Sequence, residues 1–238
     1  MTKLIQTKDL CIKYGSLIAV EKADIQVNSN DFIGVIGPNG GGKSTLVKAL
    51  VGLINPYKGK IEKDKDLKIG YVPQINNIDF KFPIRVEEVI NSGIYSKNQS
   101  SINRRQVDEV MKQMGIDGLQ KRPIGELSGG QRQRVYIGRA VIGKPKLLIL
   151  DEPNTYVDNK FESEMYDLLR ELNETMAIML VSHDVGTIYK HVKSVLCVNK
   201  HVHTHESPQS YLESIGNCSS ELSFIEHKHL NVKILESH

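Results

Sequence analysis

The sequence predicts an α/β fold with a mainly parallel sheet core, because short apolar runs alternate with segments of helical periodicity. Uninterrupted apolar runs are typical of parallel strands that are covered on both faces. Such runs occupy residues 31–36, 146–150, 176–181 and 194–198. Helices are predicted over 44–53, after the first run, and over 161–172, where apolar side chains recur at helical spacing. This order implies right-handed crossovers between parallel strands.

Two parts of the chain depart from this alternation. Residues 3–7 and 25–28 predict a small N-terminal antiparallel β piece. From about residue 76 to 144 no buried strand is predicted, and one amphipathic helix is marked by Val107, Val110, Met111 and Met114. We therefore predict a helical subdomain inserted at about 76–144. The whole domain is expected to cover 1–200 and to be followed by a polar, histidine-rich tail over 201–238.

The composition argues against several classes of protein. The chain has 238 residues, a hydrophobic share of 39% and a net charge of +3, as an ordinary globular protein does. So small and evenly spread a charge gives no indication of nucleic-acid binding. The longest apolar runs fall well short of the roughly 18 residues of a membrane span. Three cysteines without metal-ligand or redox spacing indicate a reducing cytosol. A transport role would therefore require a membrane domain on another chain.

A glycine-rich loop follows the first predicted strand and opens the first predicted helix. It fits the pattern G-x-x-x-x-G-K-[ST] with the residues Gly37, Pro38, Asn39, Gly40, Gly41, Gly42, Lys43 and Ser44. Its glycines allow successive N–H groups and the helix N-terminus to face a phosphate. Lys43 is expected to reach the β- and γ-phosphates of ATP, Ser44 to bind Mg²⁺, and Thr45 to add a phosphate contact. The loop predicts a P-loop NTPase fold; the alternative is a glycine-rich β-turn.

Two carboxylates, Asp151 and Glu152, come directly after the predicted strand 146–150. Ligands of open α/β sheets bind beyond the carboxyl ends of the strands, so we expect Asp151 to hold Mg²⁺, directly or through water. Glu152 is then placed to orient and deprotonate the attacking water, a form of catalysis worth roughly 10²–10⁴-fold. The alternative is a solvated acidic pair that ends a strand.

A histidine, His183, follows the predicted strand 176–181 and so falls at the same sheet edge as Asp151 and the phosphate loop. A neutral imidazole there can hydrogen-bond the γ-phosphate and hold the water in place. A single histidine after a strand is otherwise a helix-capping or surface residue. Its position relative to the other two motifs favours the functional role.

A second phosphate-binding surface is predicted about 85 residues after the first, in the sequence Leu127, Ser128, Gly129, Gly130 and Gln131. Ser128 and Gln131 fit a capping box at the start of a helix. The two glycines between them leave the helix N–H groups and the positive end of the helix dipole open to an anion.

The order and spacing of these motifs resemble the ATP-binding cassette (ABC) ATPases over roughly residues 4–199. The resemblance also includes Tyr14, Gln74 within Tyr71-Val72-Pro73-Gln74, and Asp158. It implies an ATPase that uses ATP and Mg²⁺ and forms a head-to-tail dimer, in which the signature at 127–131 of one protomer completes the phosphate site of the other.

The resemblance also assigns roles to single residues. It implies that Tyr14 stacks on adenine, that Gln74 senses Mg²⁺ and water while coupling to a membrane partner, and that Asp158 communicates across the dimer. The alternatives are a surface aromatic for Tyr14, a strand end for Gln74 and an N-cap for Asp158, which fits both roles.

The residues after Gln74 bear on what is transported. Tyr-Val-Pro-Gln followed by Phe-Pro-x-x-Val resembles the ABC subfamily that imports zinc, manganese or chelated iron. The resemblance implies a cytoplasmic subunit that is peripheral on the inner face of the membrane through a permease, with an extracytoplasmic substrate-binding protein and no nucleic acid. Phe80 and Phe82 are candidates for permease docking or for the core. Three alternatives stay open: an importer of another substrate, a soluble ABC ATPase of DNA repair, translation or cofactor assembly, and a metal-binding regulatory module.

Two residues depart from the family pattern. Gly41 stands where the family more often has a small residue with a side chain, so a slightly looser loop is expected. Tyr156 stands where a smaller residue is usual, which bears on the geometry of the dimer interface.

Histidines are concentrated at the end of the chain. His201, His203 and His205 have period two, so an extended segment would present them on one face, and His227 with His229 repeats the spacing. Imidazole suits Zn²⁺ and its neighbours, which makes this tail a candidate transition-metal site. The alternative is a solvated polar tail.

Overall fold

The computed structural model describes residues 2–74, 83–94, 103–153, 159–183 and 185–211. These residues divide into two compact units, each assembled from separate stretches of the chain. The first unit draws on Met1–Ile5, Gln26–Asp31 and Lys63–Val181, and the second on Gln6–Ile25, Phe32–Glu62 and Ser182–His238.

The elements follow one another with short connections. The strands are β1 (Lys3–Tyr14), β2 (Leu17–Ala23), β3 (Gln26–Asn28), β4 (Phe32–Ile36), β5 (Lys58–Lys63), β6 (Ile69–Val72), β7 (Leu147–Asp151), β8 (Ala177–Val181), β9 (Ser194–Asn199) and β10 (His201–His205). The helices are α1 (Lys43–Val51), α2 (Val86–Asn91), α3 (Arg104–Gln113), α4 (Gly129–Val141), α5 (Asn159–Asn173) and α6 (Val185–Ile188), with a 3₁₀ turn at Ile124–Glu126.

In the second unit, β4 pairs in parallel with β9, and β9 pairs antiparallel with β10. Every residue of β4 is buried, as its uninterrupted apolar run predicts. Ile36 lies opposite Cys197, so the carboxyl ends of β4 and β9 are neighbours. The chain that leaves β4 therefore starts its turn directly beside the end of β9.

The second unit also contains antiparallel strands near the N-terminus, but their pairing joins residues 10–14 to 17–23, which lie outside the predicted segments 3–7 and 25–28. β1 pairs with β2, and β5 pairs with β1. The Thr7 side chain supports this sheet, since its hydroxyl donates to the Ala23 carbonyl at 2.7 Å and accepts from the Ile25 amide at 2.9 Å. Tyr14 lies opposite Leu17, at the end of the ribbon.

In the first unit, β7 pairs in parallel with β6 and with β8. All residues of β7 and β8 are buried. The turn from α5 into β8 is closed by Asn173, whose amide donates to the Met176 carbonyl at 3.0 Å. Asp151, the last residue of β7, lies opposite Val181, the last residue of β8. The chain beyond β7 thus begins at the carboxyl edge of these strands.

Helices α2, α3 and α4 also belong to the first unit, in agreement with the helical character predicted for the insertion. Gly138 of α4 packs against Val110 and Met114, where an added Cβ would lie 3.2 and 3.3 Å from their side chains. α4 also packs against β6, where a Cβ on Gly70 would lie 2.4 Å from the Ala140 carbonyl oxygen. The backbones of β6 and α4 are therefore in direct contact.

The predicted core strands and helices are present, with bounds that differ by one or two residues. Outside the core, the segment predicted at 3–7 extends to Tyr14 as β1, and β2, β5 and β6 were not predicted. β10 falls in the predicted tail, yet it pairs with β9; the boundary at residue 200 stays a prediction. None of the helices within the described residues is long and apolar enough to cross a membrane.

Candidate active site

The glycine-rich loop joins β4 to α1 in the second unit, as predicted. Gly37, Gly40 and Gly42 have positive φ angles of 147°, 76° and 102°. A Cβ on Gly37 would lie 2.0 Å from the Val198 carbonyl oxygen, and one on Gly42 would lie 2.4 Å from the Ala19 oxygen. Because no side chain fits at these two positions, the loop backbone packs directly on the backbones of β9 and β2.

Both backbone polar groups of Gly41 form hydrogen bonds within the second unit. Its amide donates to the Pro38 carbonyl at 3.0 Å, and its carbonyl accepts from the Lys200 amide at 2.9 Å. A Cβ at this position would lie 2.7 Å from the Val198 carbonyl oxygen. The loop is therefore tight at Gly41, in contrast to the looser loop expected from this departure from the family pattern.

Lys43 begins α1, and its side chain is 5% exposed. Its ammonium group donates to the Gly37 carbonyl at 3.0 Å and to the Pro38 carbonyl at 3.1 Å. These bonds hold the ammonium group over the loop. Ser44 and Thr45 follow in the first turn of the helix, where backbone N–H groups lack intrahelical acceptors. This end of α1 presents a cation, hydroxyls and amide donors together, which is the chemistry that phosphate requires.

His183 lies beside the start of this loop. The amide of Ser182 donates to the Val35 carbonyl at 3.1 Å, which holds the residue before His183 against the end of β4. The His183 side chain is exposed. Tyr14, 49% exposed, lies at the end of the β1–β2 ribbon of the same unit. Both side chains are thus accessible, as their predicted roles require.

The carboxylate of Asp151 is 1% exposed at the end of β7. The Tyr71 hydroxyl donates to its Oδ2 at 3.4 Å. Burial raises the pKa of Tyr71 to about 12, and the charge of Asp151 adds to the shift. The phenol therefore stays protonated, and remains a donor, at any pH at which the protein would be assayed.

Glu152 follows in a left-handed backbone conformation, with a φ of 50°. Its amide donates to the Val181 carbonyl at 3.1 Å. The Gln74 Nε2 donates to its Oε2 at 2.6 Å. The first unit thus brings Gln74 and Glu152 together, and an amide donor orients the carboxylate.

The helix α4 starts with the predicted capping box. The Ser128 side chain accepts from the Gln131 amide at 3.2 Å, and the Gln131 side chain accepts from the Ser128 amide at 3.1 Å. Arg132 adds a bond from its Nη1 to the Leu127 carbonyl at 2.6 Å. Gly130 is buried and Gly129 is partly exposed. These contacts hold the glycines at the helix N-terminus in a defined conformation.

Comparisons with known proteins agree with this geometry. The ABC transporter family profile matches residues 20–155. This chain belongs to the ABC transporter family. As a member it is an ATP-hydrolysing subunit with a P-loop NTPase fold. The fold and the ATPase activity predicted from the sequence are thus confirmed.

Two relatives and one solved structure show how far the similarity extends. A probable metal transport system ATP-binding protein of Thermotoga maritima is 36% identical over 85% of this chain and 84% of its own length. The zinc import ATP-binding protein ZnuC of Hydrogenovibrio crunogenus is 33% identical over 95% of this chain and 93% of its own. The structure of cbiO1 from Clostridium perfringens, part of the ABC transporter complex cbiONQ, is 26% identical with a TM-score of 0.77, and the match covers 90% of this chain and 92% of that one.

The residues of this ABC subunit fit ATP and Mg²⁺. Positive φ angles at Gly37, Gly40 and Gly42 curl the loop, a conformation in which successive amides can face a phosphate. The buried carboxylate of Asp151 and the side-chain oxygen of Gln74 are hard oxygen donors of the kind that Mg²⁺ prefers. Ser44, Gln74 and Asp151 as joint ligands of one Mg²⁺ stay a prediction.

Some predicted residues lie outside the part of the chain that the structure describes. They are Phe80, Phe82, Tyr156, Asp158, His227 and His229.

One neighbour of the carboxylates, Tyr71, was not predicted to have a role. Its contact with Asp151 depends on the pairing of β6 with β7, for which the sequence carries no signal.

The crowding at Gly41 leads to a prediction. Gly41→Ala should lower the midpoint of thermal unfolding by about 2–10 °C, because a methyl group forced into packed backbone costs roughly 1–3 kcal/mol. It should also weaken ATP binding in a fluorescent-nucleotide titration. Gly143→Ala is the control, since its Cβ would meet only the Gly93 oxygen at 3.4 Å. An unchanged midpoint with tighter ATP binding would show that the family's usual side chain is accommodated.

Proposed function

We propose that this chain is the ATP-hydrolysing subunit of an importer of metal cations, with zinc favoured and manganese second. The two relatives named above support the substrate class, because their likeness extends over 85% and 95% of this chain. The contact between Gln74 and Glu152 carries the catalytic part of the proposal, since it joins the proposed sensor to the proposed base at 2.6 Å.

The proposed mechanism assigns one task to each group. Lys43 and the loop amides bind the β- and γ-phosphates, while Ser44, Gln74 and Asp151 hold Mg²⁺, which neutralises phosphate charge when bound. Glu152 orients and deprotonates the attacking water, and Gln74 holds the Glu152 carboxylate in one orientation. His183 contacts the γ-phosphate.

The remaining roles concern partners. We propose that two copies of the chain close around two ATP molecules, with Ser128, Gly129, Gly130 and Gln131 of one copy on the nucleotide of the other. Tyr14 stacks on adenine, and Asp158 links the two sites. The dimer drives a separate permease from the inner face of the membrane, in a system that includes an extracytoplasmic substrate-binding protein. The capping box of α4 supports the signature role, because it holds the helix N-terminus in one conformation.

Replacing the proposed base tests the mechanism. Glu152→Gln should reduce steady-state ATP hydrolysis at least a hundredfold, because the amide cannot accept a proton. ATP binding should stay unchanged, and ATP should now produce a stable dimer in size-exclusion chromatography. Glu174→Gln, at an exposed position distant in sequence, is the control. Normal turnover by the Glu152 variant would remove Glu152 from the role of general base.

Transport itself is tested in membranes. The tagged full-length chain, isolated from detergent-solubilised membranes of its own host, should carry an integral membrane subunit that mass spectrometry identifies. The purified complex in lipid vesicles should move radioactive Zn²⁺ only with ATP, and the Glu152→Gln complex should not. Absence of an integral partner would favour the soluble ABC ATPases, and ATP-driven movement of neither Zn²⁺ nor Mn²⁺ would contradict the metal assignment.

We further propose that the tail histidines bind a transition metal. β10 carries His201, His203 and His205 on one face, with the first two exposed and His205 packed edge-on against Tyr211 at 5.3 Å between ring centroids. Within the described part of the chain no cluster of three or more metal-binding side chains is formed. A site would therefore need further ligands, for which His227 and His229 are the candidates.

Calorimetry tests the histidine proposal without removing a strand. The double variant His201→Ala with His203→Ala should lower the affinity for Zn²⁺ at least tenfold, because each change removes an imidazole ligand. His191→Ala, outside the tail, is the control. Unchanged Zn²⁺ binding by the double variant would reject the metal role of these histidines.

A further inference from the structure

The end of β6 and the two residues after it contact both of the carboxylates in the proposed mechanism. Gln74 donates to Glu152, as described above, and three residues earlier Tyr71 donates to Asp151. The first contact is already part of the proposed mechanism, whereas nothing in that mechanism uses the second.

The strand register explains how Tyr71 reaches Asp151. β6 and β7 are parallel, and Tyr71 lies opposite Ile149. Residues two apart on a strand point to the same face, so Tyr71, Ile149 and Asp151 share one face. A rise of about 3.3 Å per residue puts Asp151 roughly 6.6 Å further along. A phenol that leans along the strand spans this separation, and its hydroxyl meets Oδ2 at 3.4 Å.

The burial of Asp151 gives this contact its significance. The side chain is 1% exposed, and an ionised carboxylate in such surroundings is stable only when donors or a cation compensate for lost water. A tyrosine hydroxyl can donate along one defined direction. It therefore restrains the rotation of the carboxylate about its terminal bond, which otherwise has a broad torsional well.

The backbone that carries Tyr71 is itself held in position. Gly70 lies so close to α4 that a Cβ would approach the Ala140 carbonyl oxygen to 2.4 Å. On its other side, β6 forms the parallel ladder with β7. The hydroxyl is thus presented from a strand that is packed against both a helix and a sheet, and such elements fix a side chain more accurately than a loop does.

We propose that Tyr71 is a positioning residue for Mg²⁺, whose hydroxyl orients the Asp151 carboxylate toward the metal. This inference rests on the proposed function, in which Asp151 holds Mg²⁺ of the bound nucleotide. Tyr71 itself contacts neither metal nor substrate. Because Tyr71 and Gln74 lie on one short segment, a single stretch of chain orients the metal ligand and the general base.

The test removes one oxygen atom. Tyr71→Phe should weaken Mn²⁺ binding by the full chain about five- to tenfold, as measured by electron paramagnetic resonance with a non-hydrolysable ATP analogue. Hydrogen bonds to charged groups can change affinity by more than about tenfold. The Tyr71 hydroxyl lies 3.4 Å from Asp151 Oδ2, which is long for such a bond, so we expect a smaller loss of affinity. The Mg²⁺ concentration for half-maximal ATPase activity should rise by the same factor. Affinity for ATP in EDTA should not change, because the hydroxyl acts only through the metal.

Tyr136→Phe is the matched control, since Tyr136 is another partly buried tyrosine of the first unit. It should leave Mn²⁺ affinity unchanged. Wild-type Mn²⁺ affinity in Tyr71→Phe would overturn the positioning role, as would an equal loss of ATP affinity with and without metal, which would indicate a general packing defect. If the unmodified chain bound no metal–nucleotide complex, the proposed function would fail first, and the inference with it.

Discussion

Asp151 and Glu152 are consecutive carboxylates at the end of β7, and each accepts a hydrogen bond at the carboxyl edge of the first unit. Neighbouring like charges repel, and a buried carboxylate loses hydration, so each needs its own donor. The parallel pairing of β6 with β7 meets this need, because Tyr71 of β6 donates to Asp151 and Gln74, two residues after β6, donates to Glu152. The left-handed φ of Glu152 is a further cost, of about 1–2 kcal/mol, that the surrounding bonds offset. A strained backbone at a proposed catalytic base agrees with the tendency of such conformations to occur at functional sites.

The second unit contains the glycine-rich loop, in which backbone must be able to come close to a phosphate. Its loop is pressed against the carbonyl oxygens of Val198 and Ala19, which only glycine permits. Lys200 then joins the loop to β2, since its amide donates to Gly41 and its carbonyl accepts from the Glu21 amide at 2.6 Å. The chain beyond β9 thus supports the phosphate loop. β10 continues from Lys200 and pairs with β9, although its composition resembles a solvated tail.

The sequence was most informative where one interaction decides the structure. Apolar runs at residues 147–150 and 177–181 need burial on both faces, so their strands were predictable, and the motifs near residues 37, 128 and 151 identified the candidate site. β5 was not predictable from periodicity, because its pattern KGKIEK contains a single apolar residue and its pairing with β1 supplies the order. Tyr71 was missed for a related reason. Its contact with Asp151 depends on the register between strands far apart in sequence, which a single chain does not reveal.

In the proposed mechanism, the chemistry of these residues is directed entirely at phosphate, magnesium and water. Amide donors, Lys43 and two carboxylates serve ATP whatever ion is moved, so no group among them can distinguish zinc from manganese. Under the proposed function, selection of the ion therefore belongs to the proposed permease or substrate-binding protein, where the ion is bound. The relatives' names bear on the substrate only because subunits of one kind of transporter share more of their sequence than the ATP site requires. The alignment with the zinc import relative covers 95% of this chain, which is far more than the residues of the proposed ATP site.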